Sequence, residues 1–137
     1  MADALEWMAR SAPTLAEMEA MAEDAYARLP ESFRQLCGNM VVRVEDFPSE
    51  VVQKEMETES EFDLLGLFQG IGLAQGYEMV GGNLPNMIFL YRRPILDYWA
   101  EHEETLGDVV THVLVHEIGH HFGLSDDDME RVEEAAG

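Results

Sequence analysis

The chain predicts an α+β fold, a small mixed sheet of three to four strands packed with helices. Helical and strand patterns follow one another without the β-α-β-α alternation of a doubly wound sheet. The strand patterns are short and separated by helices or by a glycine-rich stretch. A long helical pattern near the C-terminus is apolar on two sides, as expected of a buried central element. A chain of 137 residues fits one domain, 1–137, and can bury about 68–70% of its unfolded surface.

Residues 1–13 carry Leu5, Trp7 and Met8, end at Pro13 and are assigned to no element. Thr14 and Glu17 have the T-x-x-E spacing of a capping box. Behind them Leu15, Met18, Met21, Ala22, Ala25, Tyr26 and Leu29 recur at helical spacing, and Pro30 stops the run. Residues 31–37 predict a short helix ended by Gly38. Residues 40–46 predict a strand, with Val42 and Val44 alternating against Arg43 and Glu45. A short helix is expected over 49–57. The eight acids from Glu45 to Asp63, with Lys54 the one base among them, read as a solvated face. Residues 64–69 form a second strand, in which Gly66 marks a bulge or a close approach. Residues 70–86 are a glycine-rich loop with no phosphate-cradling pattern, suited to walling a cleft. A third strand covers 87–92. Pro94 opens a helix over 94–101, in which Tyr98 and Trp99 pack the edge of the core. Thr105 and Asp108 form a second capping box, which starts the helix carrying the chemistry.

That helix contains His116-Glu117-Ile118-Gly119-His120, the H-E-x-x-H pattern. Histidines four apart on a helix share a face, with Cβ atoms about 5–6 Å apart. Zn–N bonds of about 2.0–2.1 Å let one ion sit between them, and a glutamate after the first histidine is placed to act on a metal-activated water. On an ideal helix Val109, Val113, His116, Glu117 and His120 fall on one side, and Val115, Ile118 and Phe122 on a second. Gly123 suits the residue after the helix end. The chain can then return Asp126 towards the metal, giving two imidazoles, one carboxylate and an open position, the catalytic kind of zinc site. Asp126 has a second reading. Ser125 and Asp128 have capping-box spacing, and acids in a first helical turn are favourable without any metal. His112, one turn before His116, reads as a surface or core histidine or as one that orients a ligand. His102 reads as a loop residue.

Composition excludes several classes. With 28 acidic residues against 8 basic and a net charge of −20, nucleic acid and anionic membranes are disfavoured as partners, and a cationic peptide or protein substrate is favoured. Cys37 stands alone, so no disulfide forms within the chain, as suits a reducing compartment; it reads as a small buried hydrophobe. No window of 18 apolar residues is present, and because no basic region leads into an apolar run at the N-terminus, neither a secretory signal nor a removable pro-segment is expected. Cytoplasmic localisation is the expectation. Oligomeric state is not legible.

The segment HEIGHHFGLSDDDM, with LLGLFQG and IFLYRRPILDYW before it, resembles a small bacterial family of zinc metallopeptidases with a minimal matrix-metalloprotease-like domain, within the zincin-like fold. The resemblance spans roughly residues 30–130. It implies His116, His120 and Asp126 as zinc ligands and Glu117 as general base. The H-E-x-x-H-x-x-G-x-x-D form is also similar to snapalysin-like proteases and differs from metzincins, whose third ligand is histidine. Met129 follows Asp126 too closely to form a metzincin Met-turn. By resemblance, strand 87–92 would run along the substrate cleft and pair with an extended peptide, and Tyr91, Arg92 or Tyr98 would help stabilise the oxyanion. The expected function is a zinc-dependent peptidase. The alternative is a zincin-like module of weak or no activity that binds zinc and a peptide or protein partner.

Overall fold

The computed structural model describes residues 4–69 and 86–137. The glycine-rich stretch expected to wall a cleft therefore lies, up to residue 85, outside the described residues. Among those described, helices α1 (Ala4–Met8), α2 (Leu15–Ala27) and α3 (Glu31–Cys37) precede strand β1 (Met40–Glu45) and helix α4 (Glu50–Glu55). Strands β2 (Gly66–Gln69) and β3 (Asn86–Tyr91) lead to helices α5 (Arg92–Glu101), α6 (Leu106–His121) and α7 (Asp126–Ala136). This is the α+β arrangement expected.

Local chemistry fixes the boundaries. The Glu17 amide donates to Thr14 Oγ1 at 3.1 Å and the Thr14 amide to Glu17 Oε1 at 2.9 Å, closing the predicted capping box. Met18 and Ala22 are fully buried along the inner stripe of α2. Gly38, at φ +60°, ends α3 in a backbone region that costs a Cβ-bearing residue strain. Cys37 is buried as expected, and burial pushes its thiol pKa up, with a hydrogen bond from Tyr26 opposing. Ser49 caps α4, and all eight acids from Glu45 to Asp63 are exposed.

The sheet runs in the order β1-β3-β2. β1 lies parallel to β3, with Met40 opposite Asn86 and Glu45 opposite Tyr91. β2 is antiparallel to β3, with Gly66 opposite Leu90 and Gln69 opposite Met87. The third strand is thus central, and Ile88 and Leu90 have no exposed surface. This corrects the expectation that strand 87–92 pairs with a substrate, because its hydrogen-bonding edges are already taken on both sides. α5 begins at Arg92, two residues earlier than expected. Pro94 is its third residue, where a missing N–H leaves no helical bond unmade. The Arg92 guanidinium donates to Pro13 O at 2.6 Å and to Asp46 Oδ1 at 3.1 Å, which removes it from the candidates for oxyanion stabilisation.

α6 crosses the core. Val110, Leu114, Val115 and Ile118 are fully buried, and β2 and α2 both pack on it. Gly66 permits this. A Cβ there would sit 2.8 Å from Val113 Cγ1 and 3.1 Å from the Phe89 carbonyl oxygen, so the sequence signal of a close approach was correct. None of the described helices is long and apolar enough to cross a membrane.

Candidate metal centre

The helix that carries His116, Glu117 and His120 is held at both ends by hydrogen bonds. Thr105 Oγ1 accepts from the Asp108 amide at 3.1 Å, which is one half of the box predicted there. At the other end the Leu124 amide donates to Gly119 O at 2.9 Å and the Gly123 amide to His120 O at 3.2 Å. With Gly123 at φ +75°, these bonds make a Schellman turn. α7 then starts at Asp126, capped reciprocally by Ser125 and Asp128, and runs back along α6.

The two helices meet at Gly119. A Cβ on this residue would collide with the Met129 sulfur and approach its Cγ at 2.7 Å, and Met129 is completely buried. Met129 comes too early in sequence for a metzincin turn, yet it packs directly against Gly119, within the H-E-x-x-H segment. α7 thus packs on the motif helix through Met129.

His116 and His120 present their rings at 5.6 Å between centroids and 86° between planes. His116 is partly buried, whereas His120 is exposed. Burial holds the His116 imidazole below its ordinary pKa. His112 and His120 push the same way, while Glu133 and Asp126 oppose them. A neutral imidazole offers the lone pair that metal binding requires. Burial raises the Glu117 carboxyl, and His120 opposes the shift. Tyr91 lies fully buried behind it, its phenol pushed up to about 12 by burial and by the charges of Glu45 and Glu117.

Asp126 is an exposed first-turn residue of α7. It acts on His116 electrostatically and occupies the helix-start position that was its second reading. The tightest group of prospective ligands among the described residues is a different one: His112, His116 and Glu133, whose donor atoms lie within 4.8 Å of one another. His120 and Asp126 fall outside that group. Sequence reasoning did not find Glu133. Its signals were the repetition of the four-residue histidine spacing at His112 and a carboxylate seven positions after Asp126, on the same face of α7. His102 caps α5, with Nδ1 2.6 Å from Tyr98 O.

A cleft of about 300 Å³ opens beside these groups, with His112, His116 and Glu117 in its wall. Leu65, Val109, Val113 and Tyr98 make it apolar, and Asp63 and Glu104 add acidic groups. A larger cavity of about 490 Å³ borders Glu133 but contains neither His116 nor Glu117.

A mixed sheet packed on a buried HExxH helix, with imidazoles and a carboxylate on the helix face that borders a cleft, defines a zincin-like domain. Residues 37–136 match the zincin-like metallopeptidase family, and the chain belongs to that family. No curated protein matches the chain. Zinc binding is general in the family, and a donor set of imidazoles and carboxylates at the end of a packed helix fits such an ion.

Proposed function

We propose that this chain is a zinc-dependent peptidase, with His116, His120 and Asp126 holding the ion and Glu117 as general base. The observation that carries the reading is Glu117 itself. It is a partly buried carboxylate in the wall of an apolar cleft, next to the paired histidines, and a purely structural metal site has no use for it. Bound there, zinc would supply a Lewis acid and bring the pKa of water from 15.7 to about 7.

The chain's own residues supply the rest. One Glu117 carboxylate oxygen accepts the proton of the attacking water and passes it to the nitrogen of the leaving amine. The raised Glu117 carboxyl suits this exchange, since a base closer to neutrality both takes and returns a proton readily. Tyr98, in the cleft wall, is the best placed of the three residues considered for hydrogen bonding to the oxyanion, because Tyr91 is sealed in the core and Arg92 is engaged elsewhere. Among the described residues β2 has one strand neighbour, β3. An extended peptide adding to the free side of β2 would be held beside α6. The net charge of −20, with Asp63 and Glu104 at the cleft, favours cationic peptides, whose capture would weaken as salt screens these charges.

The test is Glu117→Gln. Zinc is retained, and peptide hydrolysis falls by about 10²–10⁴-fold. Hydrolysis at the parent rate would remove Glu117 from the mechanism. Zinc bound by the parent without turnover on any peptide library would return the chain to the binding-module reading.

A further inference from the structure

The histidines of α6 form not one pair but two. His112, His116 and His120 recur at four-residue intervals, so His116 belongs to both pairs and the three rings climb one helix face. The His112 and His116 rings lie 3.9 Å apart between centroids, closer than the 5.6 Å of His116 and His120. α7 runs antiparallel beside this ladder and brings Glu133 to the His112–His116 pair. Asp126 begins α7, near the His120 end. Glu133, two helical turns later, reaches the His112 end, with Oε1 at 2.7 Å from His112 Nδ1 and Oε2 at 3.8 Å from His116 Nε2.

We propose that His112, His116 and Glu133 form a second cation position, one turn along α6 from the His116–His120–Asp126 set and sharing His116 with it. Its ligand class is a late first-row divalent cation such as zinc or cobalt, which two imidazoles and one carboxylate suit. The geometry needs little change. Two donor atoms each about 2.0–2.1 Å from a tetrahedral zinc stand about 3.3–3.4 Å apart; the separations of 2.7 Å to Glu133 Oε1 and 3.8 Å to Glu133 Oε2 straddle that value, and the donors of all three residues lie within 4.8 Å of one another. All three side chains retain exposed surface, 50% at His112, 27% at His116 and 25% at Glu133, so a small adjustment meets no packed wall. His116 Nε2 binds one ion at a time. The two positions are therefore alternatives, and an ion held by His112 and Glu133 withdraws His116 from the set assigned to hydrolysis. This position does not depend on the chain being a peptidase.

The experiment uses Co²⁺ alone, followed by its visible absorption and by calorimetry, on the full chain. In His120→Ala/Asp126→Ala the first set is gone, and one equivalent of Co²⁺ is still expected to bind. Adding His112→Ala or Glu133→Gln to that variant weakens binding by at least about tenfold, since even an outer-shell partner is worth about 10–100-fold. Thermal melts of the metal-free proteins separate lost binding from lost fold. If the double variant fails to fold, His120→Ala alone bears the test by NMR, in which the His112 ring signals shift as Zn²⁺ is added to one equivalent. No Co²⁺ on a folded double variant, Co²⁺ binding indifferent to His112 and Glu133, or stationary His112 signals would each overturn the second position. Hydrolysis that depends on Glu117, without cobalt on the double variant, would defeat this inference alone, and cobalt binding without hydrolysis would defeat the peptidase reading alone.

Discussion

The two faces of α6 follow opposite rules. Towards the core, Leu114, Val115 and Ile118 are sealed completely. Towards the cleft, His112, His116, Glu117 and His120 are exposed or only partly buried, and their electrostatics oppose one another: burial lowers the His116 imidazole and raises the Glu117 carboxyl. One face stores stability and the other stores reactivity. The faces sit back to back on one rigid rod, so the reactive groups are positioned without contributing to the core themselves. Substitutions should therefore separate into two classes with little overlap.

The largest effect belongs to the cleft face. Glu117→Gln should abolish most hydrolysis while changing stability by no more than about 0.5 kcal/mol, the range of substitutions outside core features, and a denaturant titration beside the rate assay checks both. On the core face Ile118→Ala should cost about 2–5 kcal/mol, read as a fall in denaturant midpoint, while the folded fraction keeps its metal affinity. A loss of affinity as large as the loss of stability would show that the faces are coupled.

Tyr91 lies between the two. Its folded pKa of about 12 stands above the ordinary 10, so the fold favours the neutral phenol. The stability this contributes is complete below pH 10 and is lost as pH rises towards 12, roughly 2–3 kcal/mol at most. Urea midpoints should be level from pH 8 to 10 and then fall, with a shallower fall in Tyr91→Phe. Gly119→Ala places a methyl against buried Met129 and should cost about 1–3 kcal/mol by overpacking. Unlike Ile118→Ala it should also weaken metal binding, because the α6–α7 contact is displaced. Smallest is Thr105→Ala, which removes a helix cap worth about 1 kcal/mol at the end of α6 remote from the site, and it should shift melting with metal affinity untouched.

Much of this was legible because it is local. Thr14, Ser125 and Gly123 act within one turn of chain, and their caps and turn form as the spacing predicted. His116, Glu117 and His120 share a side of α6 because a helix advances about 100° per residue. What failed to show lay between elements. Strand order is decided by which strands meet, and nothing within residues 87–92 marks that strand as central. Glu133 and Met129 acquire roles only when α7 folds back on α6, an approach that no periodicity along either helix encodes. Arg92 looked free to serve a cleft because its partners, Pro13 and Asp46, are distant in sequence.

The turn between α6 and α7 has a consequence for how this segment can vary. Only Phe122, Gly123, Leu124 and Ser125 separate the two helices, and a residue added after Gly123 would displace the Leu124 amide from Gly119 O and change the angle at which α7 leaves α6. Asp126, Met129 and Glu133 would swing away from His116 and Gly119 together. The connection acts as a phase lock between two gears. Its side chains are open to exchange wherever glycine's backbone is respected, but its length is not. A library of insertions after Gly123 should yield helical proteins that bind metal poorly, whereas a library of substitutions at Leu124 should retain the affinity.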